Sequence, residues 1–407
     1  MRVRAFPWPA IPFAGASIFF AIYLAVGLNR LCALRVGSNT GEYLQAAVRF
    51  LHTGSTFNYV DWNSTLAMHD QWMFLAVAPL AAFWPHPEVV IAVQVLALAA
   101  AAPLVYRLVR DWGGAPETAA ILAIVYLVSP SVQGFAFNEF VPLDFVPLLS
   151  AALLLALQRG RWLWALLCVQ LLCGTKEDVA LFVVWFAAIY AALRDRRLGL
   201  AAAGLAALNL VVYYALLGFG HTTVHPQYGL ADPNWPKQLA FTLEILAPFA
   251  FAPLALGWRI LFAAPLCAEL FFARWSFPLY QAGNYYTIAL VTVATLAGAY
   301  VLAQRPRWAR IALGCAVVMA LFFNTTVLHF GRHLYRCDPL YPVARAWSLA
   351  SQSVTFPCDD QGAWTVAAGN IEARLTGCVN GEGLSRARAM WGDAPLASTA
   401  GWTRGPR

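Results

Sequence analysis

The stretch Cys168-Val-Gln-Leu-Leu-Cys-Gly-Thr-Lys-Glu-Asp-Val-Ala-Leu-Phe-Val-Val-Trp185 sets three consecutive charges, Lys176, Glu177 and Asp178, inside an otherwise apolar run. Arg161 before it and Arg194 after it bound a helical hairpin whose apolar legs are about 15 residues each, or roughly 22 Å at 1.5 Å per residue. A bilayer core is about 30 Å thick. The charged apex is therefore expected below the outer membrane surface, where ionised groups persist only when paired or facing a wet cavity. Lys176 stands out further because the chain has only one other lysine, Lys237, and otherwise uses arginine. The bland alternative is a helix turn reaching interfacial water.

Working outward, 60% hydrophobic and 12% charged residues over 407 positions exclude a soluble domain of ordinary composition. The chain reads as an all-α polytopic membrane protein. Its net charge of +7 comes almost wholly from arginine, with no basic run suited to nucleic acid, so the expected partner is membrane lipid. Apolar runs predict about eleven transmembrane helices, near 10–31, 88–108, 116–134, 142–158, 161–175, 178–193, 198–218, 240–257, 259–274, 284–303 and 309–328. Alternation puts thirteen arginines at inner ends against six cations at outer ends before residue 329. That bias predicts that the N-terminus is cytoplasmic and the C-terminus extracytoplasmic.

Two domains are expected: a transmembrane domain, 1–328, with a large first outer loop at 32–87, and a small extracytoplasmic α/β domain at 329–407. In the loop, 38–52 predicts a helix capped by Ser38 or Asn39, with Tyr43, Ala47, Phe50 and Leu51 on one face. Residues 71–84 predict a helix lying at the outer interface. In the tail, a helix is expected over 340–352, a strand over Ala363 to Ala367 and a helix from Asn370. Cys358 with Cys378 is the preferred disulfide in an oxidising compartment, while Cys32, Cys168, Cys173, Cys267 and Cys315 read as packing residues.

Outer loops bring Glu42, Glu139, Asp144, Lys176 and Arg274 to one membrane face. Each has a bland reading beside the functional one: solvation for Glu42, helix capping for Asp144, snorkelling for Arg274, and an ion pair for Lys176. His69 and Tyr285 are candidate groove residues or ordinary interfacial ones. His221 and His225 are four apart, but Pro226 argues against a helix, and no metal site is expected. No nucleotide fingerprint or phosphate-cradling glycine loop is present in the sequence.

Asn39-Thr-Gly-Glu-Tyr-Leu-Gln45, His69, Glu139-Phe-Val-Pro142, Lys176-Glu-Asp178 and Tyr285-Tyr286 resemble, in order and spacing, an uncharacterised prokaryotic family of predicted membrane proteins carrying a domain of unknown function. That family is in turn similar to the GT-C glycosyltransferases. The resemblance implies an inverting glycosyltransferase that takes sugar from a polyprenyl-phosphate donor at the outer face. Such chemistry needs a carboxylate base and a cation for the departing phosphate. Glu42 is the expected base, Asp144 and Glu139 orient the acceptor or an ion, and Lys176, flanked by Glu177 and Asp178, neutralises phosphate with Arg274. The chain departs from the pattern at Asn39, where the family carries Asp, and at Val141 and Asn284, where it tends to carry His. No cofactor is expected, and a divalent cation has no support in the sequence. A non-catalytic lipid-binding or transport protein, or a scaffold subunit of an envelope assembly, is the alternative.

Overall fold

The computed structural model describes residues 7–33, 36, 38–58, 63–84, 86–218, 234–272, 281, 283–332, 334–337, 354–356, 363–368, 371–376 and 402–404. The chain divides into two compact units. One comprises Met1–Tyr23, Val95–Asn138 and Pro142–Arg332; the other comprises Leu24–Gln94, Glu139–Val141 and His333–Arg407.

The protein is an α-helical membrane protein by composition and by helix length. Among the described residues five helices are long and apolar enough to cross a membrane: Ala10–Cys32, Pro87–Asp111, Arg196–Ala215, Ala252–Phe272 and Tyr285–Leu302. A bent pair, Pro116–Val128 and Pro130–Phe137, makes a sixth if it is one span. These do not reach the eleven spans expected, and several of the remaining segments are short.

In the first unit, α1 (Ala10–Cys32) and α5 (Pro87–Asp111) each contribute one part. The run expected as one span at 116–134 is instead α6 (Pro116–Val128) and α7 (Pro130–Phe137), bent by 49°. Pro130 is the cause, since the residue before a proline is pushed out of the helical region, and Ser129 has extended ψ of 126°. A 3-10 turn at Pro142–Phe145 leads into α8 (Val146–Gln158). Then come α9 (Trp162–Cys173), α10 (Glu177–Leu193), α11 (Arg196–Val212) and α12 (Trp235–Leu246). Asp195 caps α11 by accepting the Leu198 N–H at 3.1 Å.

The division into spans at 240–257 and 259–274 is wrong. The helix stops after Leu246, with Ala250 and Phe251 at φ 49° and 59°, and one run from Ala252 through α13 (Ala264–Phe272) follows. Arg259, at the expected boundary between 240–257 and 259–274, lies inside the 3-10 segment Ala252–Ala263, which is kinked at Gly257. The unit closes with α14 (Ile288–Leu302) and α15 (Pro306–Ala320). Its packing includes α10 on α11, α8 on α9 and α15 on α6.

In the second unit, α2 (Ser38–Thr53) begins one residue before Asn39, so Asn39 lies in its first turn and is not its cap. Tyr43 and Ala47 are buried as expected, but Phe50 and Leu51 are exposed; the buried face instead runs through Thr40, Leu44 and Ala46. A two-residue hairpin pairs β1 (Phe57–Asn58) with β2 (Asn63–Ser64) and leads into α3 (Thr65–Met68). Residues 72–83 form a 3-10 turn and then α4 (Ala78–Phe83), burying Phe74 and Val77 while exposing Leu80 and Phe83.

Tail residues return to this unit. Cys337 is disulfide-bonded to Cys32, with Cα atoms 4.8 Å apart and 305 residues between them in sequence. Cys32 is thus a covalent anchor and not a packing residue. Beside it the Asn29 amide donates to the Tyr335 carbonyl and accepts its N–H, both at 2.9 Å. Cys358, Cys378 and the helix expected at 340–352 lie outside the described residues. The helix expected from Asn370 is a strand: β5 (Ile371–Thr376) pairs antiparallel with β4 (Ala363–Ala368). With β3 (Val354–Phe356) and β6 (Trp402–Arg404) they form a sheet of order β3-β5-β4-β6. Ile371-Glu-Ala-Arg-Leu-Thr376 alternates apolar and polar residues with period two, which favours a strand over a helix.

Candidate functional site

Polar groups gather inside each unit. In the first, Lys176 is the N-cap of α10 with extended backbone, and only 6% of it is exposed. Its Nζ lies 2.7 Å from Asp178 Oδ2, while Asp178 Oδ1 accepts the Val179 N–H at 2.7 Å. One carboxylate therefore serves an ammonium and an orphan amide of the first helical turn. The Tyr286 ring lies over Nζ at 4.8 Å, a cation–π contact. Burial alone would lower the Lys176 pKa; Asp178, Glu177, Glu269 and Tyr286 outweigh it and hold the pKa well above the ordinary lysine value. Its ion pair with Asp178 favours the charged form.

Tyr286 is placed by a close backbone approach. A Cβ built on Gly134 of α7 would lie 2.6 Å from Gly283 Cα, and Gly283 itself has φ of +77°. The Asn138 side-chain amide donates to the Gly283 carbonyl. Asn284 then caps the turn by accepting the Tyr286 N–H at 3.1 Å. The Tyr285 ring lies tilted against Tyr286, ring centroids 4.4 Å apart, and is half-buried. Asp144 is 1% exposed and sits in the 3-10 turn before α8, not at a helix cap, within electrostatic range of Tyr126 on α6.

In the second unit, Glu42 is 5% exposed. The expectation of a solvated carboxylate on an open helix fails because α2 is wrapped by its own loop. Glu139 Oε2 accepts the Asn39 N–H at 3.1 Å, so a carboxylate from the connection after α7 caps the first turn of α2. Burial raises the Glu139 pKa, opposed by that hydrogen bond and by Arg30. The same loop is held by Phe140, edge-on to the Tyr43 ring at 5.6 Å, and by Gln94, whose amide donates to the Glu139 carbonyl at 3.1 Å. Tyr43 donates its hydroxyl to Gln71 at 2.5 Å, and Asp70 beside Gln71 is buried. His69 ends α3, half-buried.

The structure thus brings together Lys176, Glu177 and Asp178 in one unit, and Asn39 with Glu139 on the helix of Glu42 in the other. Arg274, His221 and His225 lie outside the described residues. Two groups were missed. Glu269 interacts electrostatically with Lys176 and Asp178, and a lone carboxylate within an apolar run was its available signal. Arg30, read only as a count toward orientation, interacts with Glu139. Among the described residues no group of three or more His, Cys, Asp or Glu side chains is arranged to hold a metal ion.

Residues 37–229 match a family described as predicted membrane protein (DUF2079). The matched region contains Asn39, Glu42, Glu139, Asp144 and Lys176. No curated protein and no solved structure matches the chain.

Proposed function

We propose that the chain is a membrane glycosyltransferase of the GT-C type, acting on a polyprenyl-phosphate-linked sugar at the outer face of the membrane. The observation that carries this reading is the burial of Glu42. Glu42 is a carboxylate kept from water on the first-loop helix, one turn beyond the position where the resembling enzymes place an acid, and packing fixes its place for proton transfer. Glu42 is then the general base toward the acceptor hydroxyl. Glu139 holds the start of its helix, and Arg30, which interacts with Glu139, would meet the departing phosphate. Lys176, already matched to Asp178, acts as a positioning residue for the acids around it.

Asn39 favours one second reading, an inactive relative that still binds the donor, because an amide cannot take a proton. The test is turnover of a panel of polyprenyl-phosphate sugars by the full chain in liposomes. Glu42→Gln is expected to lower turnover by roughly two to four orders of magnitude, the span of a general base. Equal turnover in Glu42→Gln removes Glu42 from the chemistry. Turnover that appears only in Asn39→Asp assigns the natural protein to the inactive reading.

A further inference from the structure

The first unit holds a cavity that sugar transfer does not use. Its apolar part, about 310 Å³, is walled by Leu154, Leu172, Phe182, Phe186, Phe262 and Leu296. A polar part of about 900 Å³ adjoins it, sharing Trp112, Leu154, Phe186, Leu256 and Tyr300, and reaches Arg194, Arg259 and Arg305. Along α10 the lining runs Val179, Phe182, Val183, Phe186, Tyr190 and then Arg194 at the helix end, a spacing of three and four that marks one face. From Val179 to Arg194 that face is roughly 22 Å long at 1.5 Å per residue. The wall is fixed by Phe262, edge-on to both Phe182 and Phe186 at 5.3 Å, and by the Trp185 indole, which donates to the Phe262 carbonyl at 3.1 Å.

Charge names the occupant. Among the described residues Arg194, Arg259 and Arg305 form no ion pair, and all three are exposed. Asp111, the acid of the mouth, is already held by Arg159 at 2.9 Å. Three positive charges are therefore left at the entrance of an apolar chamber. At about 30 Å³ per water-sized group the chamber takes roughly ten such groups, the bulk of one partial acyl chain and not of two. Snorkelling explains arginines at a helix end but not a chamber that continues from them.

We infer that this cavity binds an anionic phospholipid, its phosphate at Arg194, Arg259 and Arg305 and one acyl chain along α10. A tail gains little by leaving a bilayer that is equally apolar, so the head group decides selection: guanidinium forks suit phosphate, and three surplus positive charges disfavour a head group that carries its own cation. The inference does not depend on sugar transfer and stands or falls separately.

The experiment is native mass spectrometry of the delipidated full chain in detergent, titrated with phosphatidylglycerol or phosphatidylcholine. Phosphatidylglycerol is expected to be retained at one copy and phosphatidylcholine not. Each of Arg194→Gln, Arg259→Gln and Arg305→Gln is expected to weaken retention about tenfold, the scale of one charged hydrogen bond. These side chains are exposed, so the variants fold. Ala297→Trp, which fills the apolar part, is expected to abolish retention with the arginines intact. Equal retention of the two lipids or unchanged retention in Ala297→Trp would each overturn the inference.

Discussion

The two ends of α10 carry opposite solutions to charge beside an apolar helix. At its start Lys176 is buried among Asp178, Glu177 and Glu269, three carboxyl groups for one ammonium, under the Tyr286 ring. At its end Arg194 shares an open mouth with Arg259 and Arg305, where the acid is already taken by Arg159. The buried end has no cation to spare for an anionic ligand; the open end has three. A cation is therefore informative about phosphate binding only once its partners are known, which sequence position alone does not supply.

The comparison breaks first at Lys176. Lys176→Met leaves three half-buried carboxyl groups without their cation and is expected to cost about 3 kcal/mol in unfolding free energy, the low end for a broken buried pair, measured by chemical denaturation in detergent. Arg194→Gln, at the open end, is expected to stay within about 0.5 kcal/mol. Similar losses at the two ends would erase the contrast.

Gly134→Ala ranks next. Its Cβ would meet the Gly283 backbone, and a cost of roughly 1–3 kcal/mol is expected from overpacking. Gly204→Ala on α11, with nothing within 4 Å of the added atom, is the control, expected to be neutral or stabilising by up to about 1 kcal/mol. A smaller effect concerns Glu139. Its folded pKa lies above the ordinary 4.5, so its contribution is fully present below about that pH and is lost as pH rises through the raised value. Thermal unfolding against pH is expected to fall over that window, and Glu139→Gln to flatten the fall. Smallest of all is Asp111→Asn, which removes an exposed ion pair and is expected to leave stability nearly unchanged.

Much of this was legible in the sequence where one rule acted alone. The uninterrupted apolar runs at Ala10–Cys32 and Pro87–Asp111 are spans by length, and the Lys176 triplet marked a polar cluster by interrupting such a run. Errors arose where two rules competed. Arg259 was given the weight of a boundary, although Pro248, Pro253 and Gly257 carried the real punctuation. Glu42 was judged by the polarity of its own helix, whereas its burial comes from the rest of the loop. The Cys32–Cys337 bond and the Gly134–Gly283 contact join positions far apart in the chain, and no local pattern announces either.

The most direct test of sugar transfer separates holding the donor from using it. A polyprenyl-phosphate sugar is bound to wild-type protein and to Glu42→Gln, and retained donor and released sugar are counted in the same sample. The account predicts equal donor binding before turnover, and release slower in Glu42→Gln by roughly two to four orders of magnitude once an acceptor alcohol is added. Release at the same rate from both proteins would contradict it.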